Sequence, residues 1–184
     1  MRHIPIIAIC GEIGAGKDTV AKALAQELGY VTVAFADRLK DVAAQAFPWI
    51  PCEHFYGTQE QKAQTLFVAN GQTWTGRKIL EKIGQDLRDI HSGVWLLSLM
   101  MFIDETDGLF VIPGIRHPNE FEAVRARGGE VWEVRRLGGP PAERSDHVSD
   151  SAWRELRKDA VLSVRHGDLD SLRKMAVKLA QRES

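Results

Sequence analysis

The chain has 184 residues and a formal net charge of −1, with 44% hydrophobic and 27% charged residues. That is the make-up of a globular protein of one domain with a substantial core, and it lacks the basic excess a general nucleic-acid binder needs to neutralise a phosphate backbone. No apolar run reaches transmembrane length, and two cysteines, Cys10 and Cys52, do not make a disulfide framework, so the expected location is cytoplasmic.

Residues 4–10 are an almost unbroken apolar run, the pattern of a parallel strand buried on both faces. The fold needs this strand, so it reads as structure and not as a removable leader. The loop "GEIGAGKDT" follows it, and "KDTVAKALAQELG" then puts Val20, Ala21, Leu24 and Leu28 on one helical face and stops at Gly29. Residues 30–36, "YVTVAFA", read as a second strand, followed by a helix over "DRLKDVAAQAF". The prolines of "PWIPCEHFYG" predict irregular structure, and residues 58–102 read as helical with breaks near Gly71, Gly76 and Gly93.

A third strand is expected over 108–114, a helix over 117–129, a fourth strand over "EVWEVRR" and a loop over "LGGPPAERSDHVSD". A short helix near 153–157, a strand "AVLSV" and a helix over "DLDSLRKMAVKLAQR" close the chain. Alternating strands and helices predict a three-layer α/β/α fold around a mostly parallel sheet of about five strands, with ligands at the carboxyl ends of the strands.

Gly11 to Lys17 spell G-x-x-x-x-G-K, the phosphate-cradling loop of nucleoside triphosphate enzymes. Strand, glycine-rich loop and helix are what that chemistry requires, because loop N–H groups and the helix dipole both face the anion. Gly11, Ile13, Gly14, Ala15, Gly16, Lys17, Asp18 and Thr19 are therefore the expected ATP-binding set, with Lys17 reaching the β- and γ-phosphates. The residue after the lysine is ordinarily Ser or Thr; here it is Asp18, and the hydroxyl comes at Thr19.

Taken together, "GAGKDTVAKAL", "FADRLKDV", "GRKILEKIGQDLRDIHSGVWL", "IRHPNEFEAVRARGGEVWEVRR" and "DHVSD" resemble the phage-type deoxynucleoside monophosphate kinases, in order, over about residues 6–150. The tail "VLSVRHGDLDSL" is similar to the closing strand, loop and helix of related small kinases. The resemblance implies a single P-loop kinase domain with a helical acceptor-binding region over about 37–102 and a lid loop over about 137–150. It implies transfer of the γ-phosphoryl of ATP to a dNMP with Mg²⁺ as cofactor, in the host cytoplasm if phage-encoded. Partners are then small molecules, with no nucleic acid and no membrane, and a homodimer is possible.

G-K-D-T is a familiar form of the loop in that family. The third strand departs from it, reading "VIPGIR" with Pro113 and Gly114 where an acidic residue is usual before the arginine. Asp18 is therefore expected to take over part of the metal anchoring while Thr19 bonds an α-phosphate oxygen, although two roles are open to it. A carboxylate in the first helical turn gains about 0.3–1 kcal/mol from the helix dipole; or it anchors Mg²⁺, through water, in place of the missing third-strand carboxylate.

On the acceptor side, "FADRLK" offers Asp37, Arg38 and Lys40, and the resemblance points to Lys40, Arg77, Arg88 and Arg116 as phosphate cations with Gln85 for base or sugar. Phe35, Trp74 and Trp95 are candidate stacking platforms, although a tryptophan is ordinarily core. Arg135, Arg136 and Arg144 are candidate lid cations that spread transition-state charge, with Arg136 joining Lys17, Arg116 and Asp37 in the expected catalytic set. His147 of "DHVSD" matches a family histidine, but Val148 stands where an acid is usual, and no Cys/His set has zinc-ligand spacing. Two rivals remain: a dephospho-coenzyme A kinase-like enzyme, in which Asp37 would be the base on a hydroxyl, and a nucleotide switch or ATPase. No N-K-x-D for guanine is present.

Overall fold

The computed structural model describes residues 4–138 and 153–182. The chain begins with β1 (Ile6–Cys10), α1 (Lys17–Leu28) and β2 (Val31–Thr32). There follow α2 (Phe35–Ala46), α3 (Glu53–Tyr56), α4 (Gln59–Ala63), β3 (Thr65–Ala69), β4 (Gln72–Thr75), α5 (Gly76–Ile90) and α6 (Val94–Asp104). The remaining described elements are β5 (Phe110–Pro113), α7 (Pro118–Ala126), β6 (Glu130–Leu137), β7 (Ala160–Arg165) and α8 (Leu169–Ala180). Two compact units result: the described residues up to Ala34 and from Thr106 onward, and Phe35–Glu105.

The first unit is built on a five-stranded sheet of order β2-β5-β1-β6-β7 in which each recorded pairing is parallel. Every residue of β1 is buried, as its β-branched, uninterrupted apolar sequence requires of a central parallel strand. Ile7 and Ile9 face a core shared with Val20 and Leu24 of α1 and Leu172 and Ala176 of α8. Helix α7 contacts β1 and β6 and buries Phe121 and Val124 outside that cluster, covering the other face. Each fully buried side chain of this size contributes about 1.5–3 kcal/mol. Chain order reverses direction at β1, and the crevice at the carboxyl ends of such strands is where this architecture binds ligands.

The second strand is shorter than expected over 30–36. Only Val31–Thr32 pair with β5, although the Val33 N–H still donates to the Val111 carbonyl at 3.0 Å. Phe35 and Ala36 begin α2 instead, where Asp37 in the first turn favours a helix start.

The second unit also differs from an all-helical reading. Strands β3 and β4 pair as an antiparallel hairpin, turning at Asn70 and Gly71 with φ of 52° and 73°. Asn-Gly is the preferred pair for such a two-residue turn. Short α3 and α4 fill the stretch expected to be irregular or helical, and α3 buries Phe55. Phe55, Ala43, Ile50 and Ile79 form this unit's own core.

Candidate active site

The phosphate loop leaves β1 at Gly11 and enters α1 at Lys17. Gly11 has φ 142°, and a β-carbon there would run into the Val134 carbonyl oxygen on β6. The loop can pass this close to the neighbouring strand only because Gly11 has no side chain. The Ala15 N–H donates to the Glu12 carbonyl at 3.2 Å, Gly16 caps the helix, and the Val20 N–H closes the first turn onto Gly16 at 3.1 Å. Ala15 is buried while Ile13 is exposed, so the loop is anchored at one residue and open at the other. Lys17 Nζ donates to the carbonyls of Glu12 at 2.8 Å and Gly11 at 3.0 Å. The ammonium thus lies along its own loop.

Asp18 is exposed in the first turn of α1 and makes no ion pair with a described residue, with Thr19 half-buried beside it. Among the described residues no group of three or more His, Cys, Asp or Glu could hold a metal ion.

Three further predicted residues fall in the same unit. Arg116 follows β5 and is exposed; its N–H donates to Glu120 Oε2 at 2.6 Å, as does that of His117 at 3.0 Å, so the start of α7 is fixed through backbone. Arg136, next to last in β6, is half-buried, its guanidinium 3.6 Å from where a β-carbon on Gly14 would stand. Arg135 points to the other face of the strand and is held by Glu133, Nε to Oε1 at 3.0 Å and Nη2 to Oε2 at 3.1 Å. The lid residues from 139, Arg144 and His147 lie outside the described residues.

Glu133 was not among the expected residues. It is only 6% exposed, the carboxylate of Arg135's partner, with Lys158 Nζ at 4.0 Å. A charge inside the run "VWEV" was the signal, since a buried carboxylate needs a cation. Glu12 in the loop is likewise paired, with Arg154 at 3.3 Å, and Arg154 lies over the Trp153 ring. Glu12, Glu133, Arg135, Arg136, Trp153 and Arg154 line a cavity of about 340 Å³. Burial pushes the thiol of Cys10, at the end of β1, up to about 12.

The second unit carries the other candidates. Phe35 and Asp37 start α2, and Asp37 bonds Lys40 at 2.8 Å. Arg38 pairs with Asp41 at 3.0 Å and lies 4.5 Å over the Phe102 ring. Tyr56 donates to Asp41 at 2.5 Å, and burial with that bond holds the phenol at about 12. Trp74 stacks on Phe67 in the core of this unit, and Trp95 is buried with its indole N–H on the Gly84 carbonyl at 3.2 Å. Both rings therefore have packing roles. Gln85 bonds Asp89 at 2.7 Å, Arg77 bonds Gln59 at 2.6 Å, and Arg88 folds back over Gly84.

No family model matches the chain. It is 29% identical, over 90% of each chain, to a protein of Acanthamoeba polyphaga mimivirus provisionally named deoxynucleotide monophosphate kinase. The crystal structure of TT1252 from Thermus thermophilus aligns over 100% of both chains with a TM-score of 0.51 and 22% identity. Dephospho-CoA kinase from Campylobacter jejuni aligns over 96% of both at 0.48 and 16%. Strand order, loop and the Thermus structure together make the fold the P-loop α/β fold expected from sequence. No helix among the described residues is long and apolar enough to cross a membrane.

Proposed function

We propose that the chain transfers the γ-phosphoryl group of ATP to a deoxynucleoside monophosphate, giving ADP and the diphosphate. The observation that carries this reading is the loop at Gly11–Lys17, with the Lys17 ammonium lying along its carbonyls and able to swing to a phosphate. The mimivirus relative supports the acceptor class, since its name assigns it that substrate.

In this reading the loop N–H groups and the start of α1 hold the triphosphate. Lys17 and Arg136 stabilise the charge that develops on the transferring phosphoryl group. Bound Mg²⁺ would neutralise charge on the β- and γ-phosphates, with Asp18 the residue to hold its water shell. The acceptor oxygen belongs to a phosphate already ionised at neutral pH, so no general base is needed. Asp37, tied to Lys40, serves as the orienter of a cation. The cations that the resemblance assigns to the acceptor phosphate are Lys40, Arg77 and Arg88 on the second unit and Arg116 on the first.

An ADP-release assay over a panel of deoxynucleoside and nucleoside monophosphates tests this. ADP should form with at least one dNMP and not with the corresponding nucleoside. ADP formed at one rate with and without acceptor makes the chain an ATPase, and ADP formed with a hydroxyl acceptor alone returns Asp37 to the role of base.

A further inference from the structure

Beside α5, Lys62, Arg77 and Arg88 line a cleft of about 280 Å³ floored by Leu39, Leu80 and Gly84. Three cations meet one carboxylate there, Glu81. None of the three makes an ion pair with a described residue. Arg77 is held by the neutral amide of Gln59 at 2.6 Å. Three cations around a single carboxylate at an apolar floor repel one another. That repulsion is felt at Lys62, whose ammonium is held below its usual range by burial and then by Lys40 and Arg77.

Lys62 is presented by a fixed element despite its short helix. Thr58 and Gln61 cap α4 reciprocally, the Gln61 amide accepting from the Thr58 N–H at 2.8 Å. The Gln61 carbonyl meets His54 Nδ1 at 2.9 Å, and at Gly57 a β-carbon would strike the Gln61 amide. The side chain is half-buried, so its charge is partly shielded from water.

We infer that Lys62 is a third cation of a phosphate-monoester site with Arg77 and Arg88, and that it binds the acceptor's phosphate. The inference rests on the function proposed above. A dianion takes a bidentate guanidinium on one side and a point-charge ammonium on another. Binding it relieves the repulsion among the cations, so Lys62 selects acceptors that carry a phosphate over those that carry only the nucleoside.

The test is calorimetric binding of ATP, of the common dNMPs and of the matching deoxynucleosides to wild type, Lys62→Met, Lys62→Arg and the surface control Lys82→Met. Lys82 is exposed on α5 and paired with Asp86. Lys62→Met should weaken dNMP binding about tenfold, the size of one charge-assisted hydrogen bond. Nucleoside affinity should stay the same, Lys62→Arg should recover most of the loss, and Lys82→Met should bind as wild type. Unchanged dNMP affinity in a folded Lys62→Met variant overturns the inference, as does an equal loss for dNMP and nucleoside, which would mark a packing role. A wild-type protein that binds ATP but no dNMP overturns the acceptor reading itself, which keeps the two failures apart.

Discussion

The Lys17 ammonium donates to the Glu12 carbonyl oxygen at 2.8 Å, within the loop that carries both residues. A cation parked on its own loop can exchange carbonyl partners for phosphate oxygens without moving the backbone. Lys17→Ala removes no core contact, since the chain from Ile6 to Cys10 and the apolar face of α1 pack without it. Its thermal transition should stay near that of wild type while kcat falls about 10²-fold or more, the scale for losing one preorganised transition-state donor. Near-normal turnover in that variant removes the loop from the mechanism.

Gly11 and Val134 make a different kind of demand, because here backbone meets backbone. An alanine at Gly11 must keep φ near 142° and push its methyl into the Val134 carbonyl. The combined strain and clash should cost about 3 kcal/mol, a fall in Tm of roughly 6–12 °C for a chain of this size. Gly29 has φ 74° but open space around it, so Gly29→Ala should cost only about 1 kcal/mol. Melting curves that rank Gly29→Ala as the worse substitution would show that the strand contact is not what fixes the loop.

The two thiols separate by burial. Cys10 is fully buried and its thiol is pushed up to about 12, whereas Cys52 is exposed. At pH 8 the Cys10 thiolate fraction is then about 10⁻⁴. A disulfide reagent should label one thiol in the native protein and both in guanidinium. The same shift has a sign in stability: from about pH 9 to 12 the unfolded chain sheds this proton and the folded chain keeps it. Stability should therefore fall as pH rises through that window, and less steeply in Cys10→Ala. Rapid labelling of both thiols in the native state contradicts the burial of β1's last residue.

What could be read from the sequence follows from how local the governing physics is. The strand, loop and helix around Gly11 to Lys17 depend on neighbours in the chain, and they stand where expected. The hairpin at Asn70 and Gly71 was equally local, and the Asn-Gly pair between "TLFVA" and "QTWT" was its signal. A glycine inside a helical pattern reads as a break, whereas after Asn70 it is the second residue of a turn. Lys62 and Glu133 are another matter. Lys62 answers to Arg77, on another element, and Glu133, besides its local partner Arg135, to Lys158, which comes from beyond β6. No pattern within a short window brings such pairs together.

Asp18 joins the loop to the departure at Pro113 and Gly114. These two residues end and follow β5, where the Gly114 N–H donates to the Ile9 carbonyl at 2.7 Å. No carboxylate side chain is available at either position. Asp18 is exposed and makes no ion pair with a described residue, so its charge is available to a hydrated cation. If it anchors Mg²⁺, Asp18→Asn should raise the Mg²⁺ concentration for half-maximal rate severalfold, and Asp18→Ser, which supplies the usual loop hydroxyl, should recover part of that loss. If it only complements the dipole of α1, Asp18→Asn should cost about 0.3–1 kcal/mol of stability and leave the Mg²⁺ dependence alone. A Mg²⁺ titration of the three proteins, read beside their melting curves, decides between them, because only metal anchoring moves the titration midpoint.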